Sequence, residues 1–141
     1  MTTDMRLDGQ RIHGWLPLAD ALLTDQSKRP GVYFLAHFDR KPRTFNAVSP
    51  RIFYIGETCG QSLRQRWRQF KASAFRNGDG HSGGFTYFAN FRKRDRERIL
   101  VAFASPDDDE PLRSYRIRYL ERKWLLRYLE ANGCPPVCNS K

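Results

Sequence analysis

The chain has 141 residues, of which 40% are apolar and 13% aromatic, enough for one domain with a real core and too few for two comfortable ones. Lys and Arg number 25 against 15 Asp and Glu, a net charge of +10, and so basic a small domain favours a polyanionic partner, nucleic acid first. A membrane surface is the weaker candidate, because the sequence holds no long apolar run and no basic amphipathic anchor.

The start, "MTTDMRLDGQ", is polar and carries no apolar signal region. Three cysteines, an odd number, then point to reduced thiols and a cytoplasmic location. Cys134 and Cys138 lie close together, but two ligands do not make a structural zinc site, which takes four.

Residues 1–30 read as an arm or short helix, with "WLPLADALL" (15–23) a helix entered through Pro17. Pro30 and Gly31 punctuate. "GVYFLAHF" (31–38) is a β-rich run, "DRKPRTFNAVSP" is turn-rich, and "RIFYIGET" (51–58) is a second β-rich run, so the two form an antiparallel pair across a long loop. In "SLRQRWRQFKASAFRNG" (62–78), Leu63, Trp67, Phe70 and Ala74 recur at helical spacing and Gly78 supplies a stop. "GDGHSGGF" reads as a glycine-rich loop, and "TYFANFRKRDRER" reads either as a helix or as a ragged strand. "RILVAFAS" (98–105) is a third strand, and a helix from Leu112 to Ala131 ends at Asn132 and Gly133. The sum is a small mixed α/β fold with a short sheet.

Several polar residues stand in unexpected places. Glu121 points with Ile117, Trp124 and Leu125, on the apolar stripe of the last helix. A carboxylate there needs a positive partner, either an arginine in a buried pair or a hard divalent cation. Arg66 lies at the edge of the Leu63–Phe70–Ala74 stripe, where it either snorkels over apolar surface or reaches a ligand. Arg64 and Arg68 lie further round the same helix, toward solvent or a phosphate backbone. Strand alternation puts Tyr33, Leu35 and His37 on one face of the first strand, and Ile52, Tyr54 and Gly56 on one face of the second.

The order Gly31-Val32-Tyr33, Tyr54-Ile55-Gly56, a helical arginine, a glutamate on a late helix and a terminal asparagine resembles the GIY-YIG nuclease superfamily, from Gly31 to Asn139. The resemblance implies an α+β fold, a small three-stranded antiparallel sheet flanked by helices, with residues 31–141 as the nuclease domain. It implies that Tyr33 is the general base or positions the attacking water, that Tyr54 supports it, that Arg66 binds the scissile phosphate, that Glu121 holds a single Mg²⁺ or Mn²⁺, and that Asn139 braces the site. Tyr33, Tyr54, Arg66 and Glu121 are then expected to line one basic cleft. Positive charge from Arg66 and the metal is expected to lower the tyrosine pKa from its ordinary value near 10.

Two departures stand out. Many members carry a histidine four residues after the arginine, where this chain has Phe70, and some carry a lysine after the second tripeptide, where it has Glu57. Arg64 is a rival for the role of Arg66. His81 is a candidate for the missing imidazole, although its glycine-rich setting reads more simply as a surface turn. Arg64, Arg68, Lys71, Arg76 and His81 are the candidate nucleic-acid contacts, with DNA as the substrate. The activity implied is metal-dependent phosphodiester hydrolysis leaving 5′-phosphate and 3′-hydroxyl ends. The alternative is a non-catalytic nucleic-acid-binding module that keeps the fold.

Overall fold

The computed structural model of the protein describes residues 5–139. It begins with a hairpin of β1 (Arg6–Leu7) and β2 (Gln10–Arg11), whose turn places Asp8 and Gly9 in the left-handed region at φ 52 and φ 79. Strand β3 (His13–Pro17) runs directly into a single helical turn, α1 (Leu18–Ala21). The central part holds β4 (Gly31–His37), β5 (Ile52–Thr58) and α2 (Leu63–Arg76). Helix α3 (Ser82–Asn90), a 3₁₀ stretch (Lys93–Arg98), β6 (Ile99–Ala104) and the long α4 (Leu112–Asn132) complete it.

The main sheet has four antiparallel strands in the order β3-β6-β4-β5, not three. The added strand comes from the segment read as the start of a short helix. Its Trp15 is 1% exposed and packs on Phe38 and Phe45 at 5.1 and 5.6 Å between ring centroids. Burying so large an aromatic surface outweighs the weak helical preference of a few residues around Pro17. Pro17 ends the strand and stands just before the helical turn rather than within it.

Strand β4 is buried along its whole length because it is sandwiched between β6 and β5 and covered on both faces. Val32, Phe34 and Ala36 face a layer that includes Leu120 and Tyr128 of α4. Tyr33 and Leu35 face the opposite layer, with Trp67 and Phe70 of α2 and Tyr87 of α3. Helix α2 starts at a reciprocal cap, Ser62 with Gln65, and ends at Asn77 in the left-handed conformation. Gly78, the stop suggested by sequence, instead donates its N–H back to the Ala72 carbonyl at 3.0 Å. The ambiguous stretch 86–98 is neither one helix nor a strand: its first part, to Asn90, belongs to α3, whose first turn contains the "SGG" of the glycine-rich loop, and its last part is the 3₁₀ stretch Lys93–Arg98. No helix among the described residues is long and apolar enough to cross a membrane.

The outer edge of β5 meets no further strand. The C-terminal segment covers it instead: Cys138 N–H donates to the Phe53 carbonyl at 2.8 Å, and the Asn139 side chain both accepts from Ile55 N–H at 2.8 Å and donates to its carbonyl at 2.9 Å. Pairing these backbone groups protects an edge that is otherwise open to another chain. It also fixes Asn139 against the strand that carries Tyr54.

Candidate active site

Antiparallel pairing sets Tyr33 of β4 opposite Gly56 of β5. Cross-strand neighbours project to one face, so the space above Gly56 is filled by the tyrosines. A Cβ at Gly56 would lie 2.4 Å from the Tyr54 ring and 2.7 Å from Cζ of Tyr33. From the other side Gly83 of α3 does the same, since its Cβ would lie 2.5 Å from Tyr54. The Tyr54 ring is therefore held between two glycines, with its centroid 5.9 Å from that of Tyr33.

Of the two places the sequence offers His81, a surface turn and an imidazole beside the tyrosines, it takes the second. It is the N-cap of α3, with Nδ1 accepting the Gly84 N–H at 3.0 Å, and its Nε2 is 2.9 Å from the hydroxyl of Tyr33. The residue is 3% exposed, with its ring centroid 5.4 Å from Phe70 and 5.3 Å from Tyr54. The turn that looks solvated is packed, because Gly83 and Gly84 let α3 approach Tyr54 and Ser73 more closely than any side chain allows. His81 is thus a partner of Tyr33 and not a surface contact to nucleic acid. Burial and the nearby Arg66 charge push its pKa down to about 3, so the imidazole is neutral near pH 7.

Arg66 is anchored on α2 by Nη1, which donates to Gln69 Oε1 at 2.7 Å and to the Gly80 carbonyl at 2.8 Å. Its charge favours the phenolates of both Tyr33 and Tyr54. Arg64 points elsewhere: Nε donates to Ser27 Oγ at 3.2 Å and Nη2 to the Thr24 carbonyl at 3.0 Å, clamping α2 to the N-terminal segment. That engagement removes Arg64 as a rival for the site and as a free phosphate contact. Arg68 and Arg76 are exposed, and Lys71 is half-buried.

The tyrosine pKa moves opposite to the expected direction. Burial, reinforced by Tyr54, raises Tyr33 well above the ordinary tyrosine value, and Arg66 only partly offsets this. Burial also raises Tyr54, which Arg66 and the adjacent Tyr33 hydroxyl hold down. Desolvation disfavours the charged form, and the depth of Tyr33, which is 0% exposed, is invisible in the sequence.

Glu121 lies on α4, in the layer across the sheet from α2 and α3. It meets the rest of the site around β5, the edge strand: its charge is felt at Tyr54 and the Glu57 charge is felt at it. Burial first, then the Glu57 charge, push its pKa up to about 7, with only Arg122 opposing. The Glu121 side chain makes no ion pair or hydrogen bond among the described residues, while Glu57 accepts from the Cys59 thiol at 3.1 Å. Two neighbouring carboxylates, one of them half-buried without a cation, suit a hard divalent ion whose other ligands are water or phosphate oxygens. No cluster of three or more His, Cys, Asp or Glu occurs among the described residues, so any metal here is held by few protein ligands.

A cleft of about 480 Å³ opens beside these groups. Its walls are Tyr54, residues 78–82, Phe85, Thr86, Cys138 and Asn139. Tyr33 stands behind Tyr54; Arg66 is bonded to Gly80 of the cleft wall, and neither Arg66 nor Glu121 lines the cleft. The cleft is therefore not basic in itself, and the positive charge lies on α2 beside it. No protein-family model, curated protein or solved structure matches the chain.

Proposed function

We propose that the protein is a metal-dependent endonuclease that hydrolyses phosphodiester bonds in DNA by a tyrosine-assisted, single-metal mechanism, in keeping with its resemblance to the GIY-YIG nucleases. The observation that carries this reading is convergence. Tyr33, Tyr54, Arg66 and His81 come from β4, β5, α2 and the cap of α3, yet form one polar group, buried at Tyr33 and His81 and half-buried at Tyr54 and Arg66, at the edge of a cleft, with Glu121 in electrostatic reach. Buried polar groups are costly, and the fold gathers these beside a cleft although the Tyr33 and Tyr54 rings alone would serve the core.

Hydrolysis requires a water to lose a proton as its oxygen attacks phosphorus, negative charge on the phosphate to be stabilised, and the bond to the 3′ oxygen to break. A tyrosine of the pair takes the proton from water. The Arg66 guanidinium, fixed by Gln69 and Gly80, neutralises the phosphate. The 3′ oxygen takes a proton from solvent, leaving 3′-hydroxyl and 5′-phosphate ends. Mg²⁺ or Mn²⁺, held by Glu121 with Glu57 beside it, supplies Lewis-acid stabilisation when bound. Asn139 keeps β5 and its Tyr54 in register with the C-terminal segment. Arg68, Lys71 and Arg76 on α2 contact the phosphate backbone, which positions DNA without reading its sequence.

Supercoiled plasmid incubated with the purified protein tests the reading. Nicking in Mg²⁺ or Mn²⁺, its loss in EDTA and its loss in Glu121→Gln are the expected results. DNA binding without cleavage under all metal conditions identifies a binding module instead.

A further inference from the structure

His81 fixes the direction of every proton in the tyrosine pair. A backbone N–H can only donate, so the 3.0 Å contact from Gly84 fills the lone pair of Nδ1. Neutral imidazole carries one proton, which is therefore on Nε2. The 2.9 Å contact with Tyr33 runs from His81 Nε2–H to the tyrosine oxygen. His81 thus has no free lone pair and cannot accept a proton from Tyr33 or from water. The Tyr33 oxygen already accepts one bond and lies close to the Arg66 guanidinium, a group with donors only. Its own O–H is free to turn toward the remaining neighbour, Tyr54, whose ring centroid is 5.9 Å away; no hydrogen bond joins the two hydroxyls in the resting structure, and a donor there favours the Tyr54 phenolate.

Access separates the two rings in the same sense. Tyr33 is 0% exposed, whereas Tyr54 is half-buried and lines the cleft. We propose that Tyr54 is the catalytic base, facing water in the cleft, and that Tyr33 and His81 are positioning residues forming a chain of donors behind it. This assignment rests on reading the cleft as a phosphodiesterase site, and it inverts the roles that the resemblance implies for the two tyrosines. The resting site holds Tyr54 as a phenol, which loses its proton to solvent. The phenolate then takes a proton from water as the water oxygen bonds to phosphorus and the 3′ oxygen departs. Taking that proton regenerates the resting phenol, and the departing 3′ oxygen takes a proton from solvent.

Two measurements decide the assignment, one of them independent of activity. The first is a ¹³Cζ-tyrosine NMR titration without metal or DNA, with resonances assigned through Tyr→Phe variants. Tyr54 is expected to titrate before Tyr33, and Tyr33→Phe and His81→Asn are both expected to delay it. Asn retains the helix cap but is too short to replace Nε2. An unchanged Tyr54 titration in Tyr33→Phe overturns the donor chain, whether or not the protein cuts DNA. The second is the cleavage rate against pH at saturating Mn²⁺. Tyr54→Phe is expected to lose about 10²–10⁴-fold, the usual contribution of a general base. Tyr33→Phe is expected to lose roughly tenfold, with its rate–pH line displaced about one unit to higher pH and its slope kept. A larger loss in Tyr33→Phe than in Tyr54→Phe at every pH makes Tyr33 the base and overturns the proposal. Absence of cleavage by the wild-type protein refutes the nuclease reading, and the NMR titration still decides the proton chain.

Discussion

Strand β4 and helix α3 are joined by two histidine–tyrosine hydrogen bonds with their partners exchanged. At one end the strand gives Tyr33 and the helix cap gives His81; at the other the strand gives His37 and the helix gives Tyr87, and both bonds are 2.9 Å. Both pairs are buried, both histidines are held neutral and both tyrosines are raised by burial. What differs is the company of the tyrosine. Tyr87 packs against the rings of Phe53, Phe70, Phe75 and Phe91. Tyr33 also packs on Trp67 but meets in addition a second tyrosine, a guanidinium and Gly56, whose missing side chain leaves the room that the two tyrosine rings fill. The same hydrogen bond is a structural link where aromatic rings close around it, and part of the candidate site where Tyr54 stands between it and the cleft. Chemistry here resides in the neighbours and in access to the cleft, not in the pair.

Substitutions at the two ends sharpen this contrast. The largest effect is expected away from both pairs. Glu121→Gln abolishes metal-dependent cleavage while DNA binding, measured by gel shift, stays near wild type, because the arginines and lysines supply the phosphate contacts. Its stability follows from the sign of its pKa change. Glu121 holds a proton to about pH 7 in the folded protein against an ordinary 4.5. The folded state binds more protons between those values, so stability falls as pH rises through the interval. Without metal, Glu121→Gln therefore melts higher than wild type at pH 8 and equally at pH 4, and added Mg²⁺ narrows the gap at pH 8.

A smaller, purely structural effect is expected at the closed pair. Tyr87→Phe keeps the ring and deletes the bond to His37, costing about 0.5–1.5 kcal/mol, a drop in Tm of roughly 2–6 °C. Its cleavage rate per folded molecule stays within about twofold of wild type. A loss of cleavage comparable with that of Tyr54→Phe, in a folded protein, breaks the contrast.

The smallest effect is in acid stability, where the two ends behave alike. Burial lowers His81 to about 3 and His37 to about 4, from an ordinary 6.5. The unfolded chain binds the extra protons, so this stability is fully present above pH 6.5 and is lost as pH falls toward the folded values. Thermal melts of His81→Asn and His37→Gln at pH 7 and pH 5 are each expected to show a smaller fall between the two pH values than wild type.

The parts of the fold legible in the sequence are those with period and length. A β-rich apolar run marks Gly31–His37, and helical spacing of Leu63, Trp67, Phe70 and Ala74 marks α2. Strand β3 is short and carries Pro17, so its local signal is helical and only the packing of Trp15 makes it a strand. The site was legible as a list of residue types and obscure as an arrangement. His81 sits among glycines, which read as a loop, whereas Gly83 is a contact surface for Tyr54. A visible clue was Tyr87 and Phe91, spaced as one helix face just after the glycines. The layer to which α4 belongs, and with it the approach of Glu121 around the β5 edge, depends on tertiary packing alone.

One assay compares the two ends directly. Wild type, Tyr54→Phe and Tyr87→Phe are mixed in excess with supercoiled plasmid in Mn²⁺, and the rate of nicking is followed at pH 8 after circular dichroism has shown all three folded. Wild-type nicking, a loss of at least about 10²-fold in Tyr54→Phe and a near wild-type rate in Tyr87→Phe are the results expected of an open reactive pair and a closed structural one. Equal rates for all three, or no nicking by the wild-type protein, contradict it.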